Sequence, residues 1–144
     1  MDSVLTLGQV TARKRAQTHQ KARIKVIAEL RRRGYAVDSS RAGILTAETS
    51  NGRKFGVAVN GQSTENAWLT RTRPRDPRLP LYYVLVYMPP SEAGDRFFVL
   101  RQEDQDSRND HYQTDHPKNL NKTGGGFGWD DALRFENCWS KLPT

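Results

Sequence analysis

The sequence predicts a mixed α/β (α+β) domain in which a single mixed β-sheet is flanked by helices. Three observations predict it. A segment from about Ala12 to Arg33 contains no Gly or Pro and carries an apolar stripe at helical spacing. Two runs of strand length flank Asn51-Gly52, the strongest short hairpin signal. Leu81 to Met88 is a continuous apolar run rich in aromatic and β-branched residues. An order of helix, strands and then helices is that of one sheet with helices packed against it.

The elements follow in order. In the first helix Ala22, Val26, Ile27 and Leu30 form the apolar stripe. Gly34 is its stop, and Arg31 and Arg33 in the last turn complement the helix dipole. Tyr35-Ala36-Val37 reads as a short strand. Ile44 to Thr49 and Lys54 to Asn60 are the hairpin strands, and Ala67-Trp68-Leu69 is another short one. The stretch Arg71 to Pro80 holds three prolines and four arginines and reads as an exposed loop. Leu81 to Met88 is expected at the centre of the sheet, buried on both faces, with Arg96 to Leu100 as its neighbour. Gln102 to Tyr112 reads as a short polar helix, His116-Pro117 and Gly124-Gly125-Gly126 as loop, and Trp129 to Leu142 as a short helix with a docked aromatic tail.

Residues 1–144 fit one domain, with 1–12 allowed to be a disordered N-terminal tail; 144 residues suffice for a core without staples. The single Cys138 excludes an internal disulfide and reads as a packing residue. No apolar run reaches the length of a membrane span, and the N-terminus has no secretory pattern, so no membrane partner and a cytoplasmic setting are expected. The net charge of +7 favours polyanionic partners. Arg13 to Arg33 holds a dense run of basic residues, and Lys14, Lys21, Lys25 and Arg32 are separated by nearly whole helical turns. Together with Arg71, Arg73 and Arg75 on the loop, they are the candidate phosphate contacts. The same charges also fit a merely solvated surface.

The pattern Ala28-Glu29-Leu30-Arg31-Arg32-Arg33-Gly34-Tyr35-Ala36-Val37, followed by the hairpin through Gly52-Arg53-Lys54-Phe55-Gly56-Val57-Ala58-Val59-Asn60-Gly61-Gln62, resembles the PD-(D/E)XK, or restriction-endonuclease-like, superfamily. Trp68-Leu69, Tyr82 to Met88, Phe97 to Leu100 and Gly126 to Leu142 resemble its small members, so the likeness extends over nearly the whole chain from Thr18. The resemblance implies a first hairpin strand bearing Asp and a second bearing Glu or Gln, one residue, then Lys. Strand alternation puts such an acid and lysine on one face, where carboxylates hold divalent ions that activate water. Here Gly43 or, with a one-residue shift, Ile44 falls at the Asp, Ala58 at the acid and Asn60 at the lysine. Phe55, Val57 and Val59 are assigned to the core face, and Lys54, Gly56, Ala58 and Asn60 to a face looking out.

Three functional readings compete. The first is a pseudo-nuclease that has lost catalysis and binds DNA or a nucleoprotein partner. Such a resemblance implies a restriction, repair or mobile-element setting. The second is a nuclease with a displaced site built on Glu48 and Lys54, with Asp38 and Glu65 nearby, using Mg or Mn; otherwise no cofactor is expected. The third is a protein-interaction module on the same fold, and an oligomer is compatible with it. Asp110, His111, Asp115 and His116 read as an exposed polar turn, because five-residue spacing does not align the histidines on a helix. His19 reads as isolated. Gly124 to Gly128 lacks the Lys-Ser/Thr ending of a phosphate-cradling loop.

Overall fold

The computed structural model describes residues 6–39, 44–71, 73–91, 94–115 and 124–144. The chain folds as α1 (Leu7–Arg32), β1 (Ala36–Asp38), β2 (Ile44–Glu48), β3 (Lys54–Gln62), β4 (Trp68–Arg71), β5 (Leu81–Tyr87), β6 (Arg96–Arg101), α2 (Gln102–Asp115), β7 (Gly124–Phe127) and α3 (Trp129–Ala132), closing on two short 3₁₀ turns. A five-stranded mixed sheet has the order β1-β2-β3-β5-β6, and β4 pairs with β7 in a second, two-stranded sheet. The fold is therefore the expected mixed α+β class, with one small sheet more than the sequence announced. Gly124 to Gly126 is not loop but the strand that pairs antiparallel with β4. Glycine has little strand preference of its own, so only the pairing reveals it. The C-terminal segment is the expected short helix with a docked aromatic tail: α3 is one turn, two 3₁₀ turns follow it, and Phe135 and Trp139 are buried.

α1 starts at Leu7 rather than at Ala12, so residues 7–12 belong to the helix and not to a tail. The cause is a capping box: the Thr6 hydroxyl accepts from the Gln9 N–H at 3.1 Å, and the Gln9 side chain accepts from the Thr6 N–H at 2.8 Å. The helix stops as expected at Gly34, whose φ of +95° is left-handed. The Tyr35 N–H reaches the Leu30 carbonyl at 3.1 Å and the Gly34 N–H reaches that of Arg31 at 3.0 Å, a Schellman closure. The hairpin turns through Gly52 at φ +87°, and the Thr49 N–H donates to the Arg53 carbonyl at 2.9 Å across its neck.

β3 and β5 are the parallel centre of the sheet, with Val57 opposite Tyr82 and Val59 opposite Val84. Side-chain alternation divides the core in two. On one face Leu45, Phe55, Val57, Val84, Val86 and Val99 pack under Ala22, Val26 and Leu30 of α1. On the other, Ala58, Leu81, Tyr83, Leu85, Phe98 and Leu100 pack under Trp68, Phe127, Ala132 and Phe135. The expected core face of β3 is thus correct, but of its opposite face only Lys54 is exposed, while Gly56 and Ala58 are buried and Asn60 is half-buried. Ala58 is 2% exposed beneath the second layer. That layer is tied down by polar contacts: the Trp68 indole N–H donates to the Val86 carbonyl at 3.2 Å, and Gln105 Nε2 donates to the Thr70 hydroxyl at 2.7 Å.

The C-terminal segment closes both layers. Arg96 grips Glu136 with two bonds of 2.7 Å and lies 5.0 Å from the Trp129 ring centroid. Hydrogen bonding to Arg96 holds the Glu136 carboxyl below its ordinary value. A carboxyl with a lowered folded pKa adds stability above its unfolded pKa and loses it as pH falls through the folded one. Glu136→Gln is expected to cost about 2 kcal/mol at neutral pH. It should also lessen the loss of melting temperature as pH falls through the acid range, which thermal melts across pH will read. Among the described residues no helix is long and apolar enough to cross a membrane.

Candidate nucleic-acid interface

α1 runs antiparallel to β3, because Ala22 meets Gly61 while Tyr35, just past the helix end, meets the Phe55 ring. The helix is 26 residues long, or about 39 Å at 1.5 Å per residue, which exceeds the roughly 30 Å of the nine-residue β3. Its N-terminal half therefore extends past the carboxyl end of β3. Every described side chain from Thr6 to Gln17 except those of Val10 and Thr11, which lie outside the description, is exposed. A groove runs where this half of α1 passes the end of β3 and the turn into β4.

Three adjoining clefts of about 310, 260 and 360 Å³ make up the groove, and His19 lines all three. The inner cleft is bordered by His19, Arg23, Asn60, Leu69, Arg73 and Tyr83. Further out, Lys14, Arg15 and Thr18 face Gly61, Gln62 and Thr64. Among the described residues no carboxylate lines any of the three. They lie at the carboxyl end of β3 and the turn that follows it, with Tyr83 of β5 in the wall of the inner one.

The groove is built by local rules. Arg15, His19 and Arg23 are four residues apart and share one helix stripe. That stripe faces β3 because Ala22 and Val26, beside it, are fully buried against the sheet. Gly61 allows the close approach, since a Cβ there would lie 2.5 Å from the Cβ of Ala22. Asn60 donates to the Leu69 carbonyl at 2.9 Å, and Gln102 donates to the Arg73 carbonyl at 2.9 Å, so amides fix the β4 wall and the arginine beyond it. Tyr83 lines the inner cleft, and burial pushes its phenol up to about 12.

Several cations elsewhere are matched by carboxylates. Lys25 meets Asp95 at 2.5 Å, Arg32 and Arg33 meet Glu29 at 2.5 and 2.9 Å, and Arg75 meets Asp106 at 2.9 Å. Arg108 lies 3.2 Å from Asp131, and Lys141 lies 3.7 Å from Asp104. The Arg32 hydrogen bond holds the Glu29 carboxyl below its ordinary value. Lys14, Arg15, Lys21 and Arg23 take part in no ion pair among the described residues. Unpaired positive charge is thus present on the N-terminal half of α1 and in its groove, as it is among the described residues at Arg31, Arg53, Lys54, Arg78, Arg101 and Arg134 elsewhere.

Ion pairing divides the residues that the sequence offered as phosphate contacts. Of the helix stripe, Lys14 and Lys21 stay exposed without ion pairs among the described residues, while Lys25 and Arg32 are neutralised by carboxylates. Of the loop, Arg73 enters the groove and Arg75 pairs with Asp106; the Arg71 side chain lies outside the description. His19, read singly as isolated, is the junction of the groove. Its signal was the four-residue spacing from Arg15 and to Arg23.

The positions that the resemblance would assign to an acid and a lysine carry neither where they are described. Gly43 lies outside the described residues. Ala58 is buried apolar core, and the Asn60 amide is engaged as a strut to β4. Glu48 and Lys54 face each other beside the hairpin turn, six residues and about 20 Å along β3 from Asn60. Asp38 lies opposite Thr46 on β1, diagonal to Glu48 on the same face, whereas Glu65 sits in the turn after β3, so the four candidates do not all converge. Among the described residues no three His, Cys, Asp or Glu side chains converge on one point. The side chains of Asp110, His111 and Asp115, and His116 entirely, lie outside the description. A cavity of about 480 Å³ lies between the Arg75–Pro80 loop and the start of α2, but Asp76 and Glu103 give it mixed charge. Comparison with known protein families finds no match for this chain, and none is found among curated proteins.

Proposed function

We propose that the protein is a nucleic-acid-binding domain of the nuclease-like kind that its hairpin and basic helix resemble, holding DNA or a nucleoprotein partner without cutting it. One observation carries the reading: a groove bordered by Lys14, Arg15, His19, Arg23 and Arg73 with no carboxylate along it among the described residues. Polyanion binding follows from such a concentration of unpaired charge, because each phosphate neutralised releases condensed counterions. Absence of cleavage follows from Ala58 and Asn60, whose side chains offer neither an acid nor a lysine. Contacts of this kind hold a backbone and carry no direct base information.

The test combines binding and cleavage. A labelled duplex titrated with protein should bind at moderate salt and remain intact with magnesium or manganese. Cleavage that disappears in Glu48→Ala would replace this reading with a displaced nuclease site. A protein that ignores the duplex but assembles into a defined oligomer would replace it with an interaction module.

A further inference from the structure

Arg73 follows β4 and is half-buried, with its Nε buried and without a hydrogen-bond acceptor. An unpaired buried donor is destabilising, and more so when the group is charged. A fold keeps such a group where a ligand supplies the acceptor, or where a structural strain is tolerated. Here the group borders a cleft of about 310 Å³ whose other walls bring His19 and Arg23 from α1. We propose that this cleft is a metal-independent seat for one phosphate group, held by Arg73 and Arg23 across the gap between the second layer and α1.

The proposal rests on the nucleic-acid reading and narrows it to one position in the groove. The guanidinium group is planar and matches two phosphate oxygens at once, which a lysine does not. The Arg73 backbone is fixed by Gln102 and the neighbouring Leu69 by Asn60, so the seat is formed before the ligand arrives. Tyr83 meets an anion as a neutral hydroxyl, because burial keeps it protonated far above neutral pH. Asp106, the carboxylate whose field reaches Tyr83, does not line the cleft; Arg75 engages its Oδ2, while its Oδ1 is buried without a hydrogen-bond partner. Leu69, 77% exposed at the rim, gives the entrance an apolar lip. The phosphate is either the end of a nucleic-acid strand or the free ion.

Two measurements in EDTA distinguish the sources. In the first, otherwise identical oligonucleotides with a 5′-phosphate or a 5′-hydroxyl are titrated against the protein. In the second, inorganic phosphate alone is added during thermal unfolding, with chloride at equal ionic strength as reference. A strand-end ligand predicts about tenfold tighter binding of the phosphorylated oligonucleotide. That ratio should fall to about one in Arg73→Gln and in Arg23→Gln, the second being a helix-surface change that leaves the core intact. A free-ion ligand predicts a rise in melting temperature with phosphate but not chloride, lost in both variants. Equal oligonucleotide affinities together with no phosphate-specific rise would overturn the seat, even if duplex binding persists. A preference that survives both substitutions would overturn the assignment of the arginines. A phosphate-specific rise in a protein that binds no oligonucleotide would support the seat and overturn the nucleic-acid reading alone.

Discussion

Gly61→Ala is expected to destabilise the protein by about 3 kcal/mol and to lower its melting temperature by roughly 10 °C. The added Cβ would lie 2.5 Å from the Cβ of Ala22 and 3.3 Å from the Thr18 carbonyl oxygen. Neither atom belongs to a flexible side chain, so α1 must shift off β3. Met88, whose methyl would lie at 3.2 Å, can yield; the helix backbone cannot yield without loosening Val26 and Leu30 beneath it. The shift also carries His19 and Arg23 away from Asn60, so duplex affinity should fall together with stability. Gly126→Ala is the control, because its Cβ would meet only Ala67 at 3.6 Å, ordinary contact. Its melting temperature should stay within about 3 °C of the parent. Equal stability of the Gly61 variant and the parent would mean that α1 does not seat against β3 in this way.

The second large effect is on binding. Arg15→Glu combined with Arg23→Glu should weaken duplex binding by about 100-fold at moderate salt, since each change removes a phosphate contact and adds repulsion. Lys25→Glu with Arg32→Glu makes the same change in charge, but those cations already face Asp95 and Glu29. Its effect should stay below about tenfold. The pair of variants separates the groove from a diffuse effect of net charge, with circular dichroism confirming that both remain helical. Equal losses would show that net charge alone governs binding.

The contrast between the two stripes also shows what sequence could convey. The hairpin, the stop at Gly34 and the central β5 were legible because each depends on a few adjacent residues. β3 alternation correctly put Phe55, Val57 and Val59 on the α1 face. It could not tell that β4, β7 and the closing turns would cover Ala58, because those elements arrive from distant sequence. β7 was invisible for the same reason: Gly124-Gly125-Gly126 is a strand only beside Trp68 to Arg71. The Lys25 to Asp95 pair spans 70 positions, and no periodicity announces it. Lys14, Lys21, Lys25 and Arg32 and the Arg15, His19 and Arg23 stripe were equally visible as spacings. Only the buried positions of Ala22 and Val26 decide which stripe borders β3.

The central claim is that the groove beside α1 binds a phosphate backbone by charge, and the salt dependence of duplex affinity tests it most directly. With Lys14 and Arg15 each neutralising one phosphate and Arg23 sharing a third with Arg73, the plot of log K against log salt should be linear with a slope of about −3. Arg15→Glu with Arg23→Glu should bring that slope close to about −2. A flat plot, a slope unchanged in the double variant, or no binding at low salt would contradict the account.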